Sequence, residues 1–348
     1  MTRKAEAMGP ESRDDRGNAG AVPGSWSRYA VIGGAGFIGA HFVDRLLQDP
    51  RIERVTVYDN FSSGREWHLA DHLDDQRMVV VRGSVEDTGS LTRALENHDV
   101  AIHLASNPDI ALAATEPAVD FHQGTALTHS VCEAARRSGI AQVLYASGSG
   151  IYGDIGETEA FEDFGPLVPV STYGASKLAG EALLSSYCAM FGLSARAFRF
   201  GNVVGPRQTH GVGYDFLRRL LQDASTLTIL GDGRQSKSYI HVWDVIDAVL
   251  LASTECVKPY EVFNVATGDY VTVTEIAGLV IRVLEIDPAD VRLEYTGGDR
   301  GWKGDVPIVR LDTDRIRSLG WRNRWSSSQA LELAVGSMLQ DFVVGRLT

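Results

Sequence analysis

From Tyr29 onward the chain alternates between two patterns: short β-branched apolar runs, and stretches with apolar residues every three or four positions. The first pattern predicts buried strands and the second predicts amphipathic helices. "YAVIG" reads as a strand and "FIGAHFVDRLLQDP" as a helix closed by Pro50. "RVTVYDN" and "RMVVVRGS" read as strands, "DTGSLTRALENH" as a helix and "DVAIHLAS" as the next strand. Then come the helix "ALTHSVCEAARRSG", with Gly139 at its end, and the strand "AQVLYASGSG", which runs into a glycine-rich corner. A long helix from Thr172 through "YGASKLAGEALLSSYCAMFG" and a strand "SARAFRFGNVVG" complete the regular part. This alternation predicts an α/β fold, a doubly wound parallel sheet with helices on both faces.

Beyond Gly205 the pattern loosens into a loop "PRQTHGVGYDF", a helix "LRRLLQD", the pair "LTILGDG" and "SKSYIHV", and further short helices. Loop-rich sequence beside a regular sheet usually builds the substrate side. The expected organisation is a first domain over 28–200 and a smaller, interleaved α/β lobe over 201–348. Residues 1–27 are rich in Gly, Ser, Arg, Asp and Pro without periodicity and read as a mobile leader.

Composition narrows the function classes. The 348 residues are 44% hydrophobic and 22% charged, the mixture of a soluble globular protein. A net charge of −12 opposes attraction to nucleic acid and to anionic membranes, so neither is an expected partner. Cys132, Cys188 and Cys256 stand alone and read as core residues in a reducing compartment. No run is long and apolar enough for a membrane span and no signal-peptide pattern opens the chain, which makes the cytoplasm the expected location.

The candidate chemistry begins at "GGAGFIG", where Gly33, Gly34, Gly36 and Gly39 fall within seven positions between a strand and a helix. Such a turn is either a tight structural corner or a place where backbone approaches a pyrophosphate, with the helix N-terminus of Phe37 and Ile38 offering N–H groups to the anion. The next strand ends in Asp59, 20 residues after Gly39. A carboxylate there suits the hydroxyls of an adenosine ribose and repels a 2′-phosphate, which points to NAD over NADP. Ser84 and Val85 would then lie beside the adenine, and Leu104 and Ala105 under the dinucleotide. Farther on, Tyr173 and Lys177 stand four apart on one helical face. An ammonium and a bound nicotinamide cation both favour phenolate, which makes the pair a proton acceptor for a hydroxyl undergoing oxidation. His103 and His241 read as structural and no histidine pair has metal-ligand spacing, so no metal is expected; His210, in a glycine-flanked loop, is a candidate substrate contact.

Taken together, "GGAGFIG", "DNFSSG", "HLA", "YGASKLAGE", "RFGNVVGPRQ", "ILGDGRQSKSYIHVWDV" and "FNVATG" resemble the extended short-chain dehydrogenase/reductase family, the NAD-dependent epimerase/dehydratase family, from Tyr29 to the C-terminus. The likeness is strongest to nucleotide-sugar 4-epimerases of the UDP-glucose 4-epimerase type. It implies NAD held by the residues above with Asn60, Ser63, Gly64 and Ser106, a transient 4-keto sugar with Tyr173 as base, and a homodimer. It implies that Asn202 contacts the nucleotide-sugar phosphates, and it places Val212 and His210 near the substrate. The hydroxyl that usually assists the tyrosine aligns with Gly148, leaving Ser147 or Ser149 to substitute. Related 4,6-dehydratases carry acidic residues where this chain has Ser149 and Gly150, which favours epimerisation or simple redox. Lys237 and Trp302 occupy positions usually held by Arg, with Arg207, Arg234, Arg300 and Lys303 as nearby candidates to compensate. A nucleotide-sugar dehydrogenase or reductase, or a non-catalytic dinucleotide-binding regulator, are the alternatives.

Overall fold

A computed structural model describes residues 26–107, 110–302 and 304–347. The expected leader, apart from Trp26 and Ser27, lies outside the described residues, as does Lys303. The chain enters at β1 (Arg28–Ile32), turns through the glycines into α1 (Phe37–Leu47), and continues through β2 (Arg54–Asp59), β3 (Met78–Arg82), α2 (Thr88–Leu95) and β4 (Val100–His103). Then follow α3 (Leu127–Ser138), β5 (Gln142–Gly148), the 20-residue α4 (Thr172–Phe191) and β6 (Ser194–Phe200). Gly139 closes α3 with left-handed backbone at φ 77°, a conformation that glycine adopts at no steric cost.

The strand predicted over "SARAFRFGNVVG" divides at Gly201. The Gly201 N–H still bonds the Val265 carbonyl at 2.9 Å, whereas the Asn202 N–H bonds Ser238 at 3.0 Å. The chain thus changes partners between consecutive residues, and β7 (Asn202–Val204) leaves the main sheet to pair with β9 (Tyr239–His241). Helix α5 (Val212–Gln222) begins inside the stretch expected to be loop, because Gly211 at φ 98° turns the chain and Asp215 favours the first turn that follows. The expected "LTILGDG"/"SKSYIHV" pairing does not form: Gly231 and Gly233 both take positive φ, and β8 (Thr226–Ile229) pairs instead with β11 (Arg292–Tyr295).

Helix α6 (Val242–Glu255) packs on α1, and β10 (Tyr260–Val265) returns to the main sheet beside β6. The result is a seven-stranded sheet in the order β10-β6-β5-β4-β1-β2-β3, with every pair parallel. It is a Rossmann-like doubly wound sheet. Burial on both faces explains why its inner strands read as continuous apolar runs rather than alternating ones. Two later helices, α7 (Val273–Val283) and α8 (Ser327–Val343), each start with a capping box, Thr272/Glu275 and Ser326/Gln329, and enclose a separate apolar core with α5. All three cysteines are free and buried. Among the described residues no helix is long and apolar enough to cross a membrane.

Candidate functional site

The carboxyl ends of the strands meet the smaller core across a cleft of about 780 Å³. Its floor is the glycine turn. A Cβ on Gly33, whose φ is 83°, would stand 2.8 Å from the Ala105 nitrogen, and one on Gly39 would stand 2.3 Å from the Gly33 carbonyl oxygen. These contacts set how closely β1, the first turn of α1 and the segment after β4 approach one another. Helix α1 opens on Gly36 with no side-chain cap and no acid in its first turn, so its N–H groups and positive dipole end are left for a ligand.

Asp59 ends β2 buried. One carboxylate oxygen accepts from the Ala35 N–H at 2.9 Å and the other from Phe61 at 2.8 Å. The side chain therefore holds the glycine turn as well as facing the cleft. Gly33, Gly36, Phe37, Ile38, Gly39, Asp59, Asn60 and Ser63 line one wall, and Ser84, Val85, Leu104, Ala105 and Ser106 continue it. Gly64 does not line the cleft; it packs behind it, where a Cβ would press on Ala35 and Asp59.

At the far end α4 brings Tyr173 and Lys177 to the tip of β5. Ser171 caps the helix by accepting from Gly174, and a Cβ on Gly174 would lie 2.4 Å from the Gly150 carbonyl oxygen, so helix and corner touch through backbone. Lys177 is buried, donates to the Ala146 carbonyl at 2.9 Å, and has its Nζ 5.4 Å from the centre of the Tyr173 ring. Burial lowers the ammonium to about 8, partly offset by Asp120. The Tyr173 phenol is pushed up to about 12 by burial and then by Asp120. The phenol's shift thus runs opposite to the lowering expected from the neighbouring ammonium, because desolvation is its largest cause.

The two serines of the corner differ. Ser147 is buried and donates to Glu181 at 2.5 Å, and Glu181 forms a buried pair with Arg199 at 2.7 Å, which in turn donates to the Tyr152 hydroxyl at 2.8 Å. Ser149 and Gly148 both line the cleft, and nothing lies within 4 Å of a Cβ built on Gly148.

Among the expected substrate contacts, Asn202, His210, Val212, Lys237 and Trp302 line the same cleft. The charge of Lys237 is paired with the buried Asp305 at 2.6 Å. Arg207 does not reach the cleft: it pairs with Asp44 of α1 and donates to the His68 carbonyl at 2.6 Å, behind the glycine turn. Arg234 is exposed outside the lining, and Arg300 is spent on Asp154 and the Asp305 carbonyl. His103 is buried and held neutral, lowered to about 3 by desolvation, and His241 caps α6.

The model of the NAD dependent epimerase/dehydratase family matches residues 29–266. The chain belongs to that family. As a family member it is 32% identical to the UDP-glucose 4-epimerase of Mycolicibacterium smegmatis, covering 88% of this chain and 97% of that protein. A UDP-glucose 4-epimerase from Thermotoga maritima solved with UDP-glucose superposes with a TM-score of 0.80 at 30% identity, over 90% of this chain and 99% of that one. A dTDP-glucose 4,6-dehydratase from Streptomyces venezuelae solved with NAD gives 0.83 at 28% identity, over 91% and 98%.

The cofactor of this epimerase/dehydratase-family chain is NAD, and the residues fit it. The cradle that a Cβ at Gly33 or Gly39 would fill, the uncapped end of α1 and the carboxylate of Asp59 are the groups a dinucleotide needs. Sequence reading missed Asp120, which is buried and accepts from Asn107 at 3.0 Å and from Thr172 at 2.7 Å. A single Asp in "PAVDFHQ" carries no periodic or spacing signal; only the fold brings it beside α4. It also missed the chain of Glu181, Arg199 and Tyr152 under the corner, although two opposite charges in otherwise apolar elements are a signal that could have been read.

Proposed function

We propose that the protein is an NAD-dependent nucleotide-sugar 4-epimerase of the UDP-hexose type, acting on UDP-glucose and UDP-galactose or their uronate equivalents through a transient 4-keto sugar. The observation that carries this reading is the chemistry of the corner beside Tyr173. Among the described residues lining that end, Ser147, Gly148, Ser149 and Gly150, none is a carboxylic acid able to protonate a departing hydroxyl. Loss of water from the sugar, as in a dehydratase, requires such an acid. Oxidation followed by return of the hydride does not.

Bound NAD supplies the hydride acceptor and later the donor. Tyr173 takes the proton of the sugar 4-hydroxyl onto its phenolate oxygen as that carbon becomes a carbonyl, and gives it back when the hydride returns to the other face. Lys177, anchored by the Ala146 carbonyl, keeps a positive charge beside the phenolate and would hold the cofactor ribose. Asn202 and Lys237, which also line the cleft, would bind the diphosphate, while Trp302 would offer an aromatic face to the base or sugar. Fixing the nucleotide while leaving the hexose free lets the keto sugar turn without leaving. Assembly as a homodimer belongs to the same reading.

Purified protein, incubated with UDP-, TDP-, GDP- and ADP-sugars and no added cofactor, is expected to interconvert UDP-hexose epimers, followed by NMR of the products. A strict need for stoichiometric NADH would overturn this in favour of a reductase, and a 4-keto-6-deoxy product in favour of a dehydratase.

A further inference from the structure

The hydroxyl usually placed beside the base of this site is missing at Gly148, with Ser147 and Ser149 on either side of it. Ser147 is an unsuitable substitute, because its hydroxyl proton is committed to Glu181 within a buried network that continues to Arg199 and Tyr152. A third hydroxyl comes from the end of the neighbouring strand, since β4 pairs directly with β5. Ser106 follows β4, lines the cleft with Tyr173, and has a buried Oγ that makes no ordinary hydrogen bond among the described residues. It lies beside the Tyr173 phenol, close enough to favour the ionised form. A buried hydroxyl with no partner is uncommon and calls for a role.

Its placement is also built. Asp120 accepts from Asn107 with one carboxylate oxygen and from Thr172 with the other. Asn107 adjoins Ser106, and Thr172 adjoins Tyr173. One buried carboxylate therefore ties the backbone carrying the orphan hydroxyl to the backbone carrying the phenol.

We propose that Ser106, held by the Asn107–Asp120–Thr172 clamp, is the positioning residue that supports Tyr173 as base, donating its O–H to the phenolate oxygen in place of the hydroxyl absent at Gly148. This rests on the epimerase reading for its substrate and on Tyr173 for its chemistry. In the forward step the sugar O–H bond breaks and its proton joins the phenolate oxygen, while the hydride leaves carbon for NAD⁺. The Ser106 proton stays on Ser106 throughout; its hydrogen bond lowers the phenolate's basicity to a useful range and weakens once the sugar proton has made the neutral phenol. The groups that face the phenol are Asp120 from the short helical segment before α3, Lys177 on α4 itself, and Tyr145 on β5, whose ring lies 5.3 Å from the Lys177 ammonium. Asp120 opposes ionisation, which makes a compensating donor the more necessary.

The test compares Ser106→Ala and Ser106→Thr with the parent, all loaded with NAD⁺. Ionisation of Tyr173 is followed by ultraviolet difference absorbance, with Tyr173→Phe as background. Loss of a hydrogen bond to a charged group is expected to move the Tyr173 midpoint up by about 1 pH unit in Ser106→Ala, and Ser106→Thr should restore it. The acid limb of the kcat profile should shift alkaline by the same amount, with melting temperature unchanged. An unmoved midpoint in Ser106→Ala, or Ser106→Thr behaving like Ala, overturns the proposal. The spectroscopic arm needs no sugar. If no nucleotide sugar is turned over, the epimerase reading fails while the assignment of Ser106 is still decided; if turnover is normal but the midpoint stays, only Ser106 is wrong.

Discussion

Glycine does opposite things at the two ends of the cleft. At the cofactor end, Gly33 and Gly39 leave no room for a methyl group, since a Cβ on either would meet backbone at 2.8 and 2.3 Å. At the reacting end, Gly148 faces open space with ordinary extended backbone at φ −160°. The first pair is dictated by how strand, helix and loop pack, whatever the sugar; the second is a chemical choice. An end of a site fixed by backbone geometry tolerates little variation, and one furnished by side chains can redistribute its roles among neighbours.

That difference explains what could be read from the sequence. The doubly wound sheet follows from runs of buried β-branched residues alternating with helical periodicity, and the cradle follows from spacing: glycines between strand and helix, with Asp59 at the end of the next strand. Tyr173 and Lys177 are legible because one helix carries both. Distant pairings were not. Arg207 reads as a candidate to compensate for the arginines replaced at Lys237 and Trp302, yet it is taken up by Asp44, 163 positions away. Asp120 gives no sign in its own segment of the clamp it forms between Asn107 and Thr172. The turn at "GDGRQ" looks like a hairpin connection, and only tertiary packing sends β8 to β11 instead.

Substitutions can break the contrast between the two ends. The largest effect is expected from Tyr173→Phe, which removes the proton acceptor and leaves the cradle intact. Turnover should fall by about 10² or more, the range for loss of general acid–base catalysis, with NAD content after gel filtration unchanged. Loss of the bound cofactor in this variant would mean that the two ends are not separable.

Next comes the support beneath the corner. Glu181→Ala strands the Arg199 guanidinium in a site where both side chains are 5% exposed. Breaking a buried pair in this way costs about 3–5 kcal/mol, read as a lower urea midpoint. A loss below about 1 kcal/mol, the range of exposed pairs, would show that water or neighbours replace the carboxylate. Ser147 loses its acceptor in the same variant, so unchanged turnover in the protein that remains folded would be further reason to leave Ser147 out of the chemistry.

At the cofactor end Gly39→Ala forces its Cβ against the Gly33 carbonyl. Overpacking of this kind costs about 1–3 kcal/mol, and if that falls on the cradle it weakens NAD binding by roughly tenfold to a hundredfold. Equilibrium dialysis with labelled NAD measures it. Unchanged affinity would mean that the turn relaxes freely and that the glycine spacing reports packing alone.

Gly148→Ser is the matching substitution at the other end and should have the smallest effect. A Cβ there meets no atom within 4 Å beyond its chain neighbours and suits the backbone, so stability should change by no more than about 0.5 kcal/mol, the usual bound for an unobstructed site. Turnover separates the possible uses of that space. If the supporting hydroxyl comes from Ser106, the new serine is redundant and the rate stays close to that of the parent. In a Ser106→Ala background the same substitution should then recover much of the lost rate, because it offers the phenolate a donor from the neighbouring strand end. A collapse in the single variant would instead mean that the gap beside Tyr173 is occupied by the turning sugar, and that glycine there serves substrate rotation rather than the base.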